Sequence, residues 1–352
     1  MTELHLGHPR PIVPSAYVVA TEDCRREHLG QVGGKAVGLG SLLAAGQVVP
    51  ASFIVTASAY RRYLRDRDVA KNGLGVEQRR GAMADEVRHS IAQAYSALCD
   101  GREASVSVAV RSSATIEDST EASCAGQFRT FLGARGITEI VHQVEQCWVS
   151  AFSPHVTAYR AERVVDSNEG AVAVIIQELV DARVAGVMFT QHPRTGDRSL
   201  VVIESSYGLG EAVVGGEVTP DLFEVNKITR QIHQRSCGSK PIEHRLRGDG
   251  RGVVSLPVDP ERQRAWSITN EEVDALVAVG IDLESKLGRG LDVEWAIGTT
   301  ESEQLSETLF SLQVRPITVD PGQHGRISVP KGSAIDIILG RLSGGGREDG
   351  QG

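Results

Sequence analysis

In the segment LDVEWAIG (291–298), Asp292 and Glu294 stand two residues apart; in LFSLQVRPIT (309–318), the same spacing separates Gln313 from Arg315. Both segments read as strands, and side chains at i and i+2 of a strand share one face. A polar loop separates the segments, so the two strands are expected to pair. Pairing would gather two carboxylates, an amide oxygen and a guanidinium. Hard oxygen ligands suit Mg²⁺ and a guanidinium suits a phosphate oxygen, so the set fits a Mg²⁺-nucleotide. The same four residues would also serve as a cross-strand salt bridge on a solvated face.

Three other stretches carry residue types suited to an anion. GGKAVGLG (33–40) places clustered glycines ahead of a helix, where backbone N–H groups can face an anion and Lys35 adds a point charge. It does not match G-x-x-x-x-G-K-[ST], and a glycine turn with a surface lysine reads equally well. In VAVRSSATIEDSTEASCAGQF (108–128), Arg111 is expected at the end of a strand, in an interior-looking position. There it needs an anion, supplied either by a ligand or by Glu117 or Asp118. Gly126 and Gln127 would let backbone approach a ligand, or form an ordinary tight turn. ESSYGLGEAVVGGEVTPD (204–221) holds glycines between strands and reads as a flexible lid, an anion cradle or a loop with no ligand. The ten histidines do not cluster.

The elements that must position these residues fall into two halves. The first is mixed. Strands are expected at 16–21 and 105–111, with a further strand leading into a helix within 48–64. Other helices are expected after Gly33, at 84–100 and from 136 onward, the last interrupted near Ser153-Pro154. On the helix at 84–100, Val87, Ile91, Ala94, Tyr95 and Leu98 share one face. The second half is strand-rich, with strands at 171–180, 184–190, 199–208 and 222–227 before the pair already described. One long helix at 269–288 is capped by Thr269 or Asn270. Residues 320–352 read as a tail, ending in the glycine-rich SGGGREDGQG.

The 352 residues exceed what one core usually holds, so two lobes are expected, with a seam near 165–180. A net charge of -8 argues against a nucleic-acid partner. Five cysteines without C-x-x-C spacing give no zinc or redox motif, and with no signal-like N-terminus they suit a reducing cytoplasm. No apolar run approaches the ~20 residues needed to span a bilayer, so no membrane association is expected.

Taken together, GGKAVGLGSLLAAGQVVPASFIVT, AVRSSATIEDSTEASCAGQFRT, CWVSAFSPHVTAYR, QELVDARVAGVMFT, ESSYGLGEAVVGGEVTPD, LDVEWA and LQVRPIT occur in that order across residues 18–318. In content and order they resemble the N-terminal ATP-binding domain shared by phosphoenolpyruvate synthase, pyruvate phosphate dikinase and rifampicin phosphotransferase. The resemblance implies an α+β, ATP-grasp-like fold: two lobes with ATP in the cleft between them. The first lobe would be 18–170, the second 171–319, and the tail 320–352. Lys35 and Arg111 match the family's phosphate-binding lysine and arginine. Gly126, Gln127 and Thr130 lie in its phosphate-covering loop. QELV, with Gln177, Glu178, Leu179 and Val180, matches the hinge that contacts adenine largely through backbone. Glu294 and Gln313 match the Mg²⁺ ligands, and Arg315 the γ-phosphate arginine. Cys124 stands where the family often has an aromatic residue.

The family's enzymes usually also carry a swivelling domain with a phosphorylatable histidine in a Gly-Gly-x-x-Ser-His context, and a substrate-binding domain. No histidine here has that context. The resemblance therefore implies a Mg-ATP-binding phosphotransferase component that passes a phosphoryl group to a histidine on a separate protein, and thence to a small-molecule acceptor. The alternatives are an ATP-dependent ligase or direct small-molecule kinase releasing ADP, in secondary metabolism for example, or a non-catalytic nucleotide sensor.

Overall fold

Runs of valine and isoleucine with few polar interruptions form strands buried on both faces, and several segments of this chain have that pattern. The computed structural model describes residues 12–71, 83–102, 104–115, 130–150, 171–288, 290–298 and 309–317. Gly126, Gln127, Cys124, the acids Glu117 and Asp118, the Ser153-Pro154 interruption and the tail from 320 all lie outside the described residues. The chain divides into two compact units. One runs to Leu179 and takes in Leu246–Val253; the other holds Val180–Arg245 and resumes at Val254.

The first unit is built on five strands: β1 (Val18–Ala20), β2 (Ser52–Val55), β3 (Ser107–Ala114), β4 (Thr130–Arg135) and β5 (Val172–Glu178). Their order is β1-β2-β5-β3-β4, and every pairing is antiparallel. β5, the most apolar of them, is therefore central. Its place between β2 and β3 moves the passage between units to Leu179, later than the expected start of the second lobe at residue 171.

Among the described residues four helices accompany the sheet: α1 (Leu29–Ala44), α2 (Ala57–Lys71), α3 (Asp85–Leu98) and α4 (Ile137–Ser150). On one face, Val18, Phe53, Val55, Val108, Val110, Val172, Val174 and Ile176 meet side chains of α2, α3 and α4. The expected stripe of α3 is the buried one: Val87, Ile91, Ala94, Tyr95 and Leu98 all enter this core. Burying each large aliphatic side chain contributes roughly 1.5–3 kcal/mol. Trp148 of α4 is fully buried, and its indole N–H donates to Val172 O at 3.1 Å. Thr56 precedes α2, and its hydroxyl donates to Ala16 O at 2.8 Å.

The second unit has a six-stranded antiparallel sheet in the order β13-β12-β6-β7-β8-β9. Its strands are β6 (Ala182–Phe189), β7 (Leu200–Tyr207), β8 (Asp221–Asn226), β9 (Ile232–Ser236), β12 (Leu291–Gly298) and β13 (Leu309–Pro316). A hairpin of β10 (Ile242–Leu246) and β11 (Val253–Pro257) is separate from it. The helices are α5 (Glu211–Val214), α6 (Pro260–Arg264) and α7 (Asn270–Leu287).

Thr269 caps α7 through a reciprocal box with Glu272, and Gly288 ends it in the left-handed conformation. α7 lies on the sheet face that carries Met188. A Cβ at Gly280 would stand 2.9 Å from Met188 Sδ, so glycine there permits close approach. Beneath the sheet edge, Asp221 and Lys240 are both fully buried and paired at 2.5 Å. Asp221 also accepts from Gly238 N and from both the N–H and the hydroxyl of Ser267. Among the described residues no helix is long and apolar enough to cross a membrane.

Candidate functional site

Arg111 is not the last residue of its strand. It is followed in β3 by Ser112, Ser113 and Ala114, which pair with Val174, Ala173 and Val172 of β5. The strand outruns the sequence expectation because β5 continues to supply hydrogen-bonding partners through the two serines. Arg111 itself is half-buried, opposite Ile175 on one side and the exposed Thr130 of β4 on the other. Val108 and Val110 enter the helix-packed core, so Arg111 and Ser113 occupy the opposite face.

That face meets the glycine turn of α1. Gly33 has φ +76, which interrupts the helix and lets its backbone press on β3. A Cβ there would lie 2.3 Å from Ser113 O. The turn is held by Ala36 N donating to Ser113 Oγ at 3.3 Å and by Lys35 Nζ donating to Ser112 O at 3.1 Å. The structure thus brings Lys35 to the strand residue adjoining Arg111, across 77 residues of sequence. Two cationic side chains beside a glycine turn are groups able to hold the oxygens of an oligophosphate.

At the end of β5, Gln177 is 3 % exposed, and its amide nitrogen has no hydrogen-bond partner among the described residues. Glu178 is held by Arg102 through two bonds of 2.6 and 2.9 Å. The backbone N–H groups of Glu178 and Leu179 donate to Ala51 O and Ser107 O. The hinge segment is therefore pinned at its start, and its glutamate side chain is already engaged. Val180 begins the second unit.

The expected pairing of the last two strands is present. Asp292 faces Arg315, and Glu294 faces Gln313. A register shift follows Glu294, so that Trp295 pairs with Ser311 and Leu312 falls between partners. Bulges of this kind re-aim side chains and are frequent beside active sites. Arg315 Nε donates to Asp292 Oδ2 at 2.7 Å. The cross-strand ion pair foreseen as an alternative is thus real, but it is not on a solvated face, since Asp292 is only 8 % exposed. Burial pushes the Asp292 carboxyl above its ordinary range, while Arg315 draws it back and Glu294 adds to the rise.

Following the register across the sheet places Gln313, Glu294, Val187 and Glu204 in one row on one face. Val187, Phe189 and Val202 form a small apolar cluster on that face, packed by Leu222 and Ile317. The sequence reading assigned Glu204 to a glycine-rich stretch and gave it no role. It is 6 % exposed, and its Oε2 has no partner among the described residues. Burial, aided by the charge of Asp292, pushes its carboxyl up to about 7. Ser206, two residues on and facing the same way, is also buried, and its hydroxyl has no partner among the described residues. The available signal was a glutamate directly after the apolar run LVVI, where strand alternation sets it on the face of Val202.

The glycine-rich stretch itself is folded against the second unit. Gly208 (φ +74) passes so close to His244 that a Cβ would meet His244 O at 2.3 Å, and Leu209 N donates to the same oxygen. Ala212, Val213 and Val218 pack together with Ile242 against them. The His244 ring sits 3.5 Å from the carboxylates of both Glu211 and Glu217. Flanking acids make this stretch a poor cradle for an anion.

Among the described residues no three of His, Cys, Asp and Glu converge on a ready-made metal site. Mg²⁺ rarely needs such a cage: one or two protein oxygens plus substrate phosphates and water suffice. Glu294 opposite Gln313, with a buried acid in the same row two strands away, fits that pattern. The unmatched amide donor of Gln177 fits a base with acceptor nitrogens.

Residues 76–331 match the family described as "Pyruvate phosphate dikinase, AMP/ATP-binding domain". The match includes Arg111, Glu294, Gln313 and Arg315 and begins after Lys35. A "Probable phosphoenolpyruvate synthase" of Methanothermobacter thermautotrophicus is 38 % identical over 325 residues, 86 % of this chain and 46 % of the relative. The "Phosphoenolpyruvate synthase" of Aeropyrum pernix is 34 % identical, over 85 % of this chain and 42 % of its own length. The "Prodigiosin synthesizing transferase PigC" of Serratia marcescens is 36 % identical, over 82 % of this chain and 32 % of its own. The chain spans less than half the length of each of these relatives. Since the family match covers well over half of these 352 residues, the chain belongs to the pyruvate phosphate dikinase AMP/ATP-binding domain family.

Proposed function

We propose that the protein binds Mg-ATP and hands phosphate from it to a histidine outside these 352 residues, as one component of a phosphoenolpyruvate-synthase-like phosphotransferase. The observation that carries the reading is the cross-strand register in the second unit: Glu294 opposite Gln313, next to Asp292 bonded to Arg315. It supplies two oxygen ligands for Mg²⁺ and a guanidinium oriented by its own carboxylate, which frees Arg315 of the need to find its position on binding.

In this reading Lys35 and Arg111 hold phosphate oxygens from the first unit. Gly126, Gln127 and Thr130 cover the phosphates, and the Gln177–Val180 segment receives adenine. Glu294 and Gln313 would hold Mg²⁺, which when bound offsets charge on the phosphates. The histidine nitrogen attacks the β-phosphorus, the bond to the α-phosphate oxygen breaks, and AMP leaves. Water then cleaves the resulting pyrophosphoryl-histidine to phosphohistidine and phosphate. The chain's residues position and screen the triphosphate throughout; the nucleophile comes from the swivelling domain, and a small molecule finally accepts the phosphoryl group.

Relatives named phosphoenolpyruvate synthase support the phosphotransferase reading, and the relative named prodigiosin synthesizing transferase PigC is a further transferase. The second reading is an ATP-dependent ligase or direct small-molecule kinase releasing ADP, in secondary metabolism for example. Incubation with ATP, Mg²⁺ and a histidine-bearing swivelling domain, followed by nucleotide chromatography, separates the cases. AMP with an acid-labile phosphoprotein supports the proposal. Rapid ADP release to a small molecule without that domain favours the direct kinase or ligase.

A further inference from the structure

We propose that Glu204 is a positioning residue for the divalent cation, holding a metal-bound water rather than the metal itself. The proposal rests on the reading of Glu294 and Gln313 as the metal ligands. It goes beyond that reading by adding an acid on a different strand.

Three observations carry it. First, Glu204 lies in the same row as Gln313 and Glu294 on the same face, with Val187 between the two glutamates. Second, its Oε2 is buried without a partner among the described residues, and so is the hydroxyl of Ser206 on the same face of β7. Buried polar atoms of this kind are normally satisfied, so a pair of them on one face points to partners that arrive with a ligand, and the Glu204 oxygen, when ionised, needs a donor. Third, the neighbouring acid has no such vacancy to fill, because Asp292 already accepts from Arg315 at 2.7 Å.

The chemistry of the missing donor follows from the row. A triphosphate brings only acceptors on its oxygens and cannot satisfy a carboxylate. A hydrated cation does bring donors: Mg²⁺ gives up its water reluctantly and keeps several molecules when bound. Glu204 and Glu294 are two strand spacings apart, about 10 Å between backbones. The described residues also show no trio of acids converging on one point. One water between the cation and Glu204 bridges that separation, and outer partners of this type orient a metal's shell.

The test uses Mn²⁺ with a non-hydrolysable ATP analogue. Free Mn²⁺ is followed by electron paramagnetic resonance for wild type, Glu204→Gln, Glu204→Asp and Glu294→Gln. Analogue affinity in chelator and the thermal transition are measured alongside. We expect Glu204→Gln to bind Mn²⁺ about tenfold more weakly than wild type, in line with other outer-shell partners. Metal-free analogue affinity should not change, and Glu204→Asp should recover part of the loss. Glu294→Gln should lose far more. If Glu204→Gln binds Mn²⁺ like wild type while Glu294→Gln does not, the Glu204 inference fails and the metal assignment stands. If Glu204→Gln loses as much as Glu294→Gln, it is a direct ligand and the water-mediated role is wrong. Wild-type Mn²⁺ affinity in Glu294→Gln would remove the basis of both.

Discussion

Replacing Glu204 by glutamine keeps the side chain's shape and removes its charge, so it isolates what ionising this buried carboxyl costs the fold. The ordinary glutamate value of 4.5 is pushed up to about 7, first by burial and then by Asp292. At about 1.4 kcal/mol for each tenfold in proton affinity, that gap corresponds to roughly 3 kcal/mol. The sign follows from proton counts. Between the two values the folded chain keeps a proton that the unfolded chain has lost, so stability falls as pH rises from about 4.5 to 7. Below that window Glu204 is neutral in both states, and glutamine should change little. Above it, wild type carries a strained carboxylate and the glutamine variant does not. Thermal unfolding of both proteins without nucleotide or metal, at pH 5 and pH 8, gives the comparison. The variant should melt at about the same temperature as wild type at pH 5 and several degrees higher at pH 8. Equal differences at both pH values, or a lower midpoint for the variant at pH 8, would refute the reasoning.

Asp221→Asn leaves Lys240 charged and fully buried without its carboxylate, and should cost about 3–5 kcal/mol, read as a lower denaturant midpoint. Gly33→Ala puts a Cβ against Ser113 at a positive φ; it should lower stability by at least about 1 kcal/mol and weaken ATP-analogue binding by displacing Lys35 from β3. Arg111→Lys should bind the analogue no better than Arg111→Ala, because a forked guanidinium becomes a point charge; calorimetric titration of the pair checks it.

Strands β12 and β13 were the most legible part of the sequence. Alternation alone put Asp292 with Glu294 and Gln313 with Arg315, and the register then matched them pairwise. The bulge after Glu294 was not legible, because nothing in LDVEW signals the extra residue on the partner strand. Helix α3 and the cap at Thr269 were equally plain, since their periodicity and capping chemistry are local. What sequence spacing could not give was the order of strands. β5 read as the first strand of the second half, yet it pairs inside the first sheet, a choice made by contacts with β2 and β3 far away in sequence. Arg111 looked terminal because serines are weak strand formers; pairing with β5 overrides that preference. β9, β10 and β11 were missed because their residues are largely polar or exposed and show little alternation. Glu204 was missed because its meaning depends on what lies two strands away. Of the family-matched positions, Gly126 and Gln127 fall outside the described residues, and the placement of Thr130 beside Arg111 was not readable from the loop that joins them.

The central claim of the proposal is that Arg111 and Glu294 both serve the binding of Mg-ATP. Calorimetric titration of a non-hydrolysable ATP analogue with Mg²⁺ into wild type, Arg111→Ala and Glu294→Gln tests it in one experiment. The account predicts a single site per chain. Arg111→Ala should weaken binding roughly tenfold or more, for a charge-assisted contact of about 1.5–3 kcal/mol, with or without Mg²⁺. Glu294→Gln should weaken it only when Mg²⁺ is present. Wild-type affinity in both variants, with Mg²⁺ saturating, would contradict the account.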